Sequence, residues 1–296
     1  MMTEKKAMNR QTWKQRLQSY LKHPFSFVAM LLTVLAALFS TAVLCFLVGY
    51  ILIKGVPHLT PELFQPVYTS ENASMLPAIV NTLLMTGLSL IISVPLGIFA
   101  AVYMVEYAKK GNKLVKVVRI TAETPSGIPS IVYGLFGMLF FVGALKLQLS
   151  LFSGALTLAI MVLPTIMRTT EEALLSVPYN YREGSFGLGA GRLRTVFRIV
   201  LPSAVPGILS GVILATGRIV GETAALIYTA GTVAKLPQNI FSSTRTLSVH
   251  MYLLSKEGLY TNQAFATAVV LMILVICINL LSNLLAKKLT ANGIRQ

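Results

Sequence analysis

The sequence predicts an all-α polytopic membrane protein with six transmembrane helices and both termini in the cytoplasm. Three features predict it: an apolar composition, six long apolar windows, and basic residues concentrated on one side of those windows. Hydrophobic residues make up 55% of the chain and charged residues only 12%, with a mean hydropathy of +0.72. A soluble domain carries about 25% charged residues, so this composition indicates that much of the surface faces lipid.

The six windows are long enough to cross the roughly 30 Å hydrocarbon core of a bilayer as helices. In chain order they cover residues 27–53, 77–104, 127–145, 151–167, 205–230 and 263–286. The first is too long for a cleaved signal peptide, and no small-residue cleavage site follows it. The predicted domains are a basic tail (1–26), a first transmembrane helix (27–53), a transmembrane core (77–286) and a C-terminal tail (287–296).

The positions of the basic residues predict the orientation. The chain has 25 Lys and Arg against 10 acidic residues, all Glu, which gives a formal net charge of +15. Eighteen of the basic residues flank the spans on the side of the termini, and five lie on the other side. Those five are Lys54, Lys146, Lys235, Arg245 and Lys256. The positive-inside rule therefore places the termini in the cytoplasm, and the basic charge needs no nucleic-acid partner.

Side chains suited to catalysis or metal binding are scarce. The 3 His fall outside the spans, the 2 Cys lie within apolar spans, and no GxxxxGK[ST] phosphate loop is present. We therefore expect no catalytic residue, no metal site and no cofactor in this chain. A membrane-embedded enzyme is disfavoured as an alternative, and any ATP hydrolysis belongs to another chain.

The loop between the fourth and fifth spans, residues 181–202, is the most informative segment. It reads YREGSFGLGAGRLRTVFRIVLP. This order predicts a short helix broken by glycines, then a basic amphipathic stretch, then a proline that opens the next span. Gly187, Gly189 and Gly191 allow a tight bend and the close approach of a partner. An ordinary cytoplasmic loop with turn glycines is the alternative.

The same loop resembles the EAA motif, E-A-A-x3-G-x9-I-x-L-P, of permease subunits of bacterial ABC importers. The matching positions are Glu183, Gly189, Ile199, Leu201 and Pro202, while Gly184 and Ser185 replace the two alanines. In that family the loop forms a coupling helix that docks on the cytoplasmic ATPase. The resemblance therefore implies the type I ABC importer permease fold and a coupling role for this loop.

Three further stretches resemble the A subunit of phosphate-importer permeases. They are PSIVYGLFG (129–137), RTTEEALLSVPYNYREGSFGLGA (168–190) and GRIVGETAAL (217–226). The resemblance extends from about residue 78 to 285 and implies a multi-pass subunit of a phosphate importer in the bacterial cytoplasmic membrane. The implied partners are a homologous second permease, a dimer of ATPase subunits that binds ATP and Mg²⁺, and an extracytoplasmic phosphate-binding protein.

Arg218 and Glu222 are charged residues within the fifth span. At about 1.5 Å per residue from Val205, Arg218 falls near the bilayer midplane, where an Arg costs at least about 2.5 kcal/mol. Glu222 is one helical turn later and is predicted to pair with it. The pair either holds helices together or lies on the phosphate path, and the resemblance implies the second role. There the guanidinium binds phosphate oxygens, and Glu222 accepts a hydrogen bond from protonated phosphate.

Other candidate pathway residues carry weaker signals. Arg168 closes the fourth span as either an interfacial anchor or a second anion contact. Ser130 follows Pro129 at a predicted helix start, where backbone N–H groups can face an anion. Thr169, Thr170 and Thr223 are candidate hydroxyl donors. A permease for another oxyanion, such as sulfate or molybdate, and a non-transporting scaffold or sensor subunit are the alternative functions.

Overall fold

All regular secondary structure in the described part of the chain is helical. The computed structural model describes residues 24–109, 111–123 and 127–293, and no β-strand occurs in these ranges. The chain divides into two compact units, residues 1–53 and 54–296. The predicted all-α class is therefore confirmed, and each unit is described by itself.

The first unit is dominated by one helix, α1, Pro24–Gly55. Its apolar stretch has a mean hydropathy of 2.6, and none of that stretch is buried. The hydroxyls of Thr33, Ser40 and Thr41 each donate to the carbonyl four residues earlier over 2.8 Å. Because these groups are satisfied within the helix, α1 needs no water along its surface and is suited to lipid.

The second unit is a bundle of helices. In chain order they are α2 (Leu76–Tyr107), α3 (Lys113–Glu123), α4 (Ser130–Ala144), α5 (Leu151–Ser176), α6 (Tyr179–Gly187), α7 (Arg192–Gly221), α8 (Ala224–Thr229), α9 (Leu247–Glu257) and α10 (Thr261–Gly293). Two 3₁₀ turns, Val56–His58 and Pro61–Phe64, precede α2. Within the described residues of both units, 5 helices are long and apolar enough to cross a membrane: α1, α2, α5, α7 and α10.

Helices α2, α5 and α7 pack together at the centre of the second unit. Glycines let their backbones approach closely, as in other membrane helix pairs. A Cβ added to Gly97 of α2 would lie 2.7 Å from Ile166 of α5. A Cβ added to Gly211 of α7 would overlap the Thr169 side chain of α5. Leu158 and Ile166 are fully buried at this contact, so α5 is the central helix of the core.

The third predicted span is shorter than predicted. The window 127–145 contains α4, Ser130–Ala144, and its second half, Met138–Ala144, is π-helical. This apolar helix falls below the length of the other five. The six-span count therefore stays a prediction, with α4 as the short member.

The fifth predicted span, 205–230, differs from the structure at both ends. The continuous helix α7 begins at Arg192, while its regular α-helical part begins at Leu201, so Pro202 opens that part, as predicted, but not the whole helix. A π-helical turn, Val196–Val200, ends two residues before this proline, whose ring and missing N–H disrupt regular α-helical bonding. At the other end α7 stops at Gly221, and two non-helical residues separate it from the start of α8 at Ala224; this interruption is called the break below.

Candidate substrate pathway and coupling site

The break between α7 and α8 consists of Glu222 and Thr223. Glu222 has an extended backbone (φ −70°, ψ 131°). Its Oε1 accepts a hydrogen bond from the Ala225 N–H over 3.1 Å, and its backbone carbonyl accepts one from the Ser248 hydroxyl over 2.6 Å. The Glu222 side chain therefore caps the first turn of α8, and α9 holds the break from the side.

Arg218 lies in the last turn of α7, directly before this break. It is half-buried and forms no ion pair with any described residue. The predicted pairing with Glu222 assumed that the helix continues for another turn. Because α7 ends at Gly221, the i,i+4 geometry is lost, and the carboxylate turns to the Ala225 N–H instead. The prediction of an Arg218–Glu222 ion pair is therefore wrong.

Tyr133 of α4 is a further residue of interest that the sequence did not single out; the adjacent Gly134 packs on Ala225, just after the break. The Arg218 guanidinium interacts electrostatically with the Tyr133 side chain. The Tyr133 hydroxyl is buried and has no hydrogen-bond partner among the described residues. A buried hydroxyl without a partner is costly, so this arrangement favours a ligand that accepts hydrogen bonds. In the sequence, Tyr133 could have been found from its position in PSIVYGLFG, three residues after the candidate pathway residue Ser130.

Helix α4 is held against the break by close backbone contact. A Cβ added to Gly134 would lie 2.8 Å from the Cα of Ala225 in α8. As predicted, α4 begins at Ser130 with Pro129 before it. Ser130 and Tyr133 are three residues apart and share a helix face. The structure therefore brings the start of α4 and the α7–α8 break to the same place.

Three of the four remaining predicted pathway residues have local partners, and Thr170 is the exception among the described residues. Thr223 lies in the break, and its hydroxyl is 3.4 Å from the Gly221 carbonyl. The Thr169 hydroxyl donates to the Thr165 carbonyl over 2.9 Å within α5. Arg168 is exposed, and its Nε lies 3.1 Å from Oε1 of Glu172, also on α5. Thr170 is fully buried in α5, and its hydroxyl has no partner among the described residues.

The EAA-like loop folds as a helix, a turn and a second helix. Helix α6 ends at Gly187, Gly189 adopts φ +81°, and α7 starts at Arg192. A left-handed backbone favours glycine, which explains Gly189. The Ser185 hydroxyl lies 2.8 Å from the Thr195 hydroxyl and ties the two helices together. The predicted short helix broken by glycines is therefore confirmed.

A groove of about 260 Å³ lies between α6 and the start of α7. Its lining contains Ser185, Gly189 and Ile199 of the motif, together with Leu188, Ala190, Arg194 and Arg198. Glu183 and Gly184 are exposed on α6, whereas Leu201 is half-buried and Pro202 exposed on α7. The motif thus presents a mixed apolar and basic surface that a partner can contact.

Comparison with known proteins identifies the family. A family model described as "Binding-protein-dependent transport system inner membrane component" matches residues 93–291. The chain is 37% identical over 283 residues to "Probable ABC transporter permease protein YqgI" of Bacillus subtilis (strain 168), covering 87% of this chain and 95% of that protein. It is 30% identical over 274 residues to "Phosphate transport system permease protein PstA" of Haemophilus influenzae (strain ATCC 51907 / DSM 11121 / KW20 / Rd), covering 91% and 96%.

A solved structure shares the fold. One chain of a bacterial alginate ABC transporter, crystallised with a periplasmic protein bound to an alginate pentasaccharide, matches with a TM-score of 0.65 and 21% identity. The match covers 93% of this chain and 98% of that chain, which confirms the predicted ABC importer permease fold. The chain belongs to the family of binding-protein-dependent inner membrane components, the permease subunits of ABC transporters, whose ATPase is a separate subunit.

Proposed function

We propose that this chain is a permease subunit of an ATP-driven importer of inorganic phosphate and forms half of its translocation pathway. The observation that carries the proposal is Arg218 at the break between α7 and α8. Its guanidinium has no carboxylate partner among the described residues, and its charge acts on Tyr133, whose buried hydroxyl has no hydrogen-bond partner among them. The relative from Haemophilus influenzae, a phosphate transport system permease protein, supports the choice of substrate.

The side chains around the break suit a protonated oxyanion. The planar guanidinium of Arg218 and the Tyr133 hydroxyl supply hydrogen-bond donors for phosphate oxygens. Glu222 uses Oε1 on the Ala225 N–H, and its carboxylate can accept a further hydrogen bond from a phosphate O–H. Sulfate at neutral pH has no proton to donate, so Glu222 favours phosphate over sulfate.

Import against the membrane potential requires an energy source. Moving a dianion against 100 mV, inside negative, costs about 4.6 kcal/mol before any concentration gradient. We propose that a dimer of ATPase subunits with bound ATP and Mg²⁺ docks at α6 and the adjoining groove. A homologous second permease supplies the other half of the pathway, and an extracytoplasmic phosphate-binding protein delivers the anion. Closure of the ATPases then rocks the two permease halves between inward- and outward-facing states.

Arg168 is proposed as a second contact nearer the cytoplasmic end of the path. It lies on α5 eight residues before the end of the helix at Ser176. Its ion pair with Glu172 is exposed, so an arriving anion can compete for the guanidinium at little cost. Ser130 at the start of α4, with Thr169 and Thr223, completes the proposed pathway.

Uptake of labelled phosphate tests the proposal. Cells without their own phosphate importer would express the wild-type chain, Arg218→Ala or Arg218→Lys with the partner subunits, at equal membrane levels. We expect Arg218→Ala to abolish uptake and Arg218→Lys to restore only a small part, because Lys keeps the charge but lacks the planar fork. Lys256→Ala, an exposed charge removed at the end of α9, should leave uptake unchanged.

Excess sulfate in the same assay tests the substrate. If excess sulfate does not change phosphate uptake by the wild type, the pathway is selective for phosphate. If sulfate inhibits phosphate uptake, the chain is a permease for another oxyanion. Unchanged uptake in Arg218→Ala would remove Arg218 from the pathway.

A further inference from the structure

Arg245 lies in the segment between α8 and α9, at the end of the bundle opposite α6. Asn81, in the second turn of α2, donates to the backbone carbonyls of Lys235 and Arg245 over 3.0 and 3.2 Å. The other end of α2 contacts α6, through Glu106 and Arg182. The segment around Arg245 therefore packs on the end of the bundle that the charge pattern predicts to be extracytoplasmic.

The Arg245 side chain is buried and has no anionic partner among the residues that the structure describes. The residue is only 6% exposed, and its guanidinium carbon lies 4.4 Å from the centre of the Tyr68 ring. Its Nε and Nη2 are buried and have no hydrogen-bond partner among the described residues. It also forms no ion pair with any described carboxylate. A buried charge in this state is expensive unless a ligand supplies acceptors.

Arg182, a buried arginine that joins helices, differs from Arg245 because its guanidinium donors have acceptors within the chain. Arg182 is similarly buried, at 8% exposed. Its guanidinium donates to Glu106 and to the carbonyls of Val177 and Leu174, at 2.6 to 3.1 Å for the four shortest bonds. Arg245 has equivalent donors and leaves two of them without an acceptor among the described residues, which makes it the better candidate of the two for binding a ligand.

His250 adds a hydrogen-bond acceptor next to the same tyrosine that Arg245 contacts. Its ring stands edge-on to the Tyr68 ring, with 6.0 Å between ring centres, so Arg245 and His250 flank the same tyrosine. Nε2 of His250 lies 3.3 Å from the Ala73 carbonyl, which can only accept, so Nε2 carries the proton. Nδ1 is then an unprotonated acceptor, and it is buried without a hydrogen-bond partner in the described part of the chain. Burial and the neighbouring Arg245 lower the His250 pKa to about 3, which keeps the imidazole neutral near pH 7.

We propose that Arg245 and His250, covered by Tyr68, form a second binding site for a protonated oxyanion of the hydrogen phosphate type at the outer end of the permease. Arg245 donates to the anionic oxygens, and Nδ1 of His250 accepts the hydrogen bond of the anion's O–H group. Tyr68 is half-buried and lies over the guanidinium, so its ring moves aside when the anion binds. This inference rests on the proposed function and places a capture step before Arg218.

Binding and uptake measurements on the assembled transporter test this site. Labelled inorganic phosphate would be bound to the purified complex, in nanodiscs and without the binding protein, and uptake would be followed in proteoliposomes. We expect Arg245→Gln to weaken phosphate binding at least tenfold and to raise KM for uptake, with maximal rate changed less than twofold. The matched control is Lys235→Gln, because it removes an exposed positive charge from the same segment; it should change neither quantity.

His250→Gln tests the acceptor. Its amide N–H₂ can keep the bond to the Ala73 carbonyl, while the Nδ1 acceptor is lost. We expect sulfate to compete with phosphate at least fivefold better in this variant than in the wild type. An unchanged sulfate competition would remove His250 from the site.

The outcomes separate this site from the proposed function. Absence of phosphate uptake in the wild type would overturn both. Wild-type uptake with unchanged phosphate binding in Arg245→Gln would overturn the outer site alone. An Arg245→Gln defect seen only when the binding protein is present would also overturn it, since Arg245 would then contact an acidic side chain of that protein.

Discussion

Arg182 and Glu106 form a buried ion pair that joins α6 to the end of α2. Nη2 of Arg182 lies 2.6 Å from Oε1 of Glu106, and the two side chains are 9% and 10% exposed. The same guanidinium donates to the carbonyls of Leu174 and Val177 at the end of α5. One side chain therefore connects three helices at the proposed ATPase-docking surface.

Removing this arginine should uncouple and destabilise the permease. Arg182→Gln leaves the buried Glu106 carboxylate without its partner, which costs about 3–5 kcal/mol. We expect a lower midpoint of thermal unfolding for the detergent-purified complex, and ATPase activity that no longer responds to phosphate-loaded binding protein. Glu172→Gln is the control, because its exposed pair with Arg168 contributes less than about 1 kcal/mol. Equal unfolding midpoints for the two variants would contradict this assignment.

The close contact between α2 and α5 predicts opposite effects for two glycines of one helix. A Cβ at Gly97 would lie 2.7 Å from Cγ2 of Ile166, whereas a Cβ at Gly87 meets nothing within 4 Å. Gly97→Ala should therefore destabilise the protein by about 1–3 kcal/mol through overpacking. Gly87→Ala should be neutral or stabilise it by up to about 1 kcal/mol, because Ala favours the helix. Thermal unfolding of both variants measures the difference, and a stable Gly97→Ala protein would show that α2 and α5 are less tightly packed.

Two substitutions of Glu222 should separate its capping role from its transport role. Glu222→Ala removes the acceptor for the Ala225 N–H and should cost about 1 kcal/mol of stability. Glu222→Gln keeps an oxygen at the cap, so stability should stay near wild type. We expect both variants to lose phosphate uptake, because neither has a carboxylate for the protonated anion. Normal uptake by Glu222→Gln would limit Glu222 to capping α8.

The buried His250 predicts loss of stability in acid. Burial, with the neighbouring Arg245, lowers its pKa to about 3 in the folded protein, while the unfolded chain titrates near pH 6.5. Protons therefore bind the unfolded state preferentially between these values, so His250 does not oppose folding above pH 6.5 but destabilises the folded state progressively as the pH falls.

At pH 5 this effect should amount to about 2 kcal/mol. The unfolding midpoint of the wild-type complex at pH 7.5 and pH 5 would be compared with that of His250→Gln, which cannot titrate. A pH dependence of equal size in the variant would assign the acid sensitivity to other groups.

Much of the fold follows from local patterns in the sequence. The apolar windows predict α1, α2, α5 and α10 because about 20 residues must bury their backbone hydrogen bonds within lipid. The glycines of the loop after α5 predict the bend at Gly189, because its φ of +81° suits few other residues. These features depend on neighbouring residues alone.

The break at Glu222 could not be predicted in this way. The hydropathy pattern predicts that GRIVGETAALIYTAG belongs to one continuous helical span. In such a helix, Glu222 would lie on the same face as Arg218. The chain stops being helical there because the Ala225 N–H and the Ser248 hydroxyl, one local and one from α9, bond to Glu222.

The sequence by itself determined the class of protein, its membrane orientation as a prediction, and the coupling motif. Only the tertiary structure showed which buried arginines have hydrogen-bond partners for their donors among the described residues. In the sequence, Arg182 and Arg245 are both charges in loops between spans, yet both are buried in the structure. Arg182 donates to Glu106, whereas two donors of Arg245 have no acceptor among the described residues. The reason is physical: hydropathy and charge act along the chain, whereas desolvation and hydrogen-bond partners depend on contacts between distant segments.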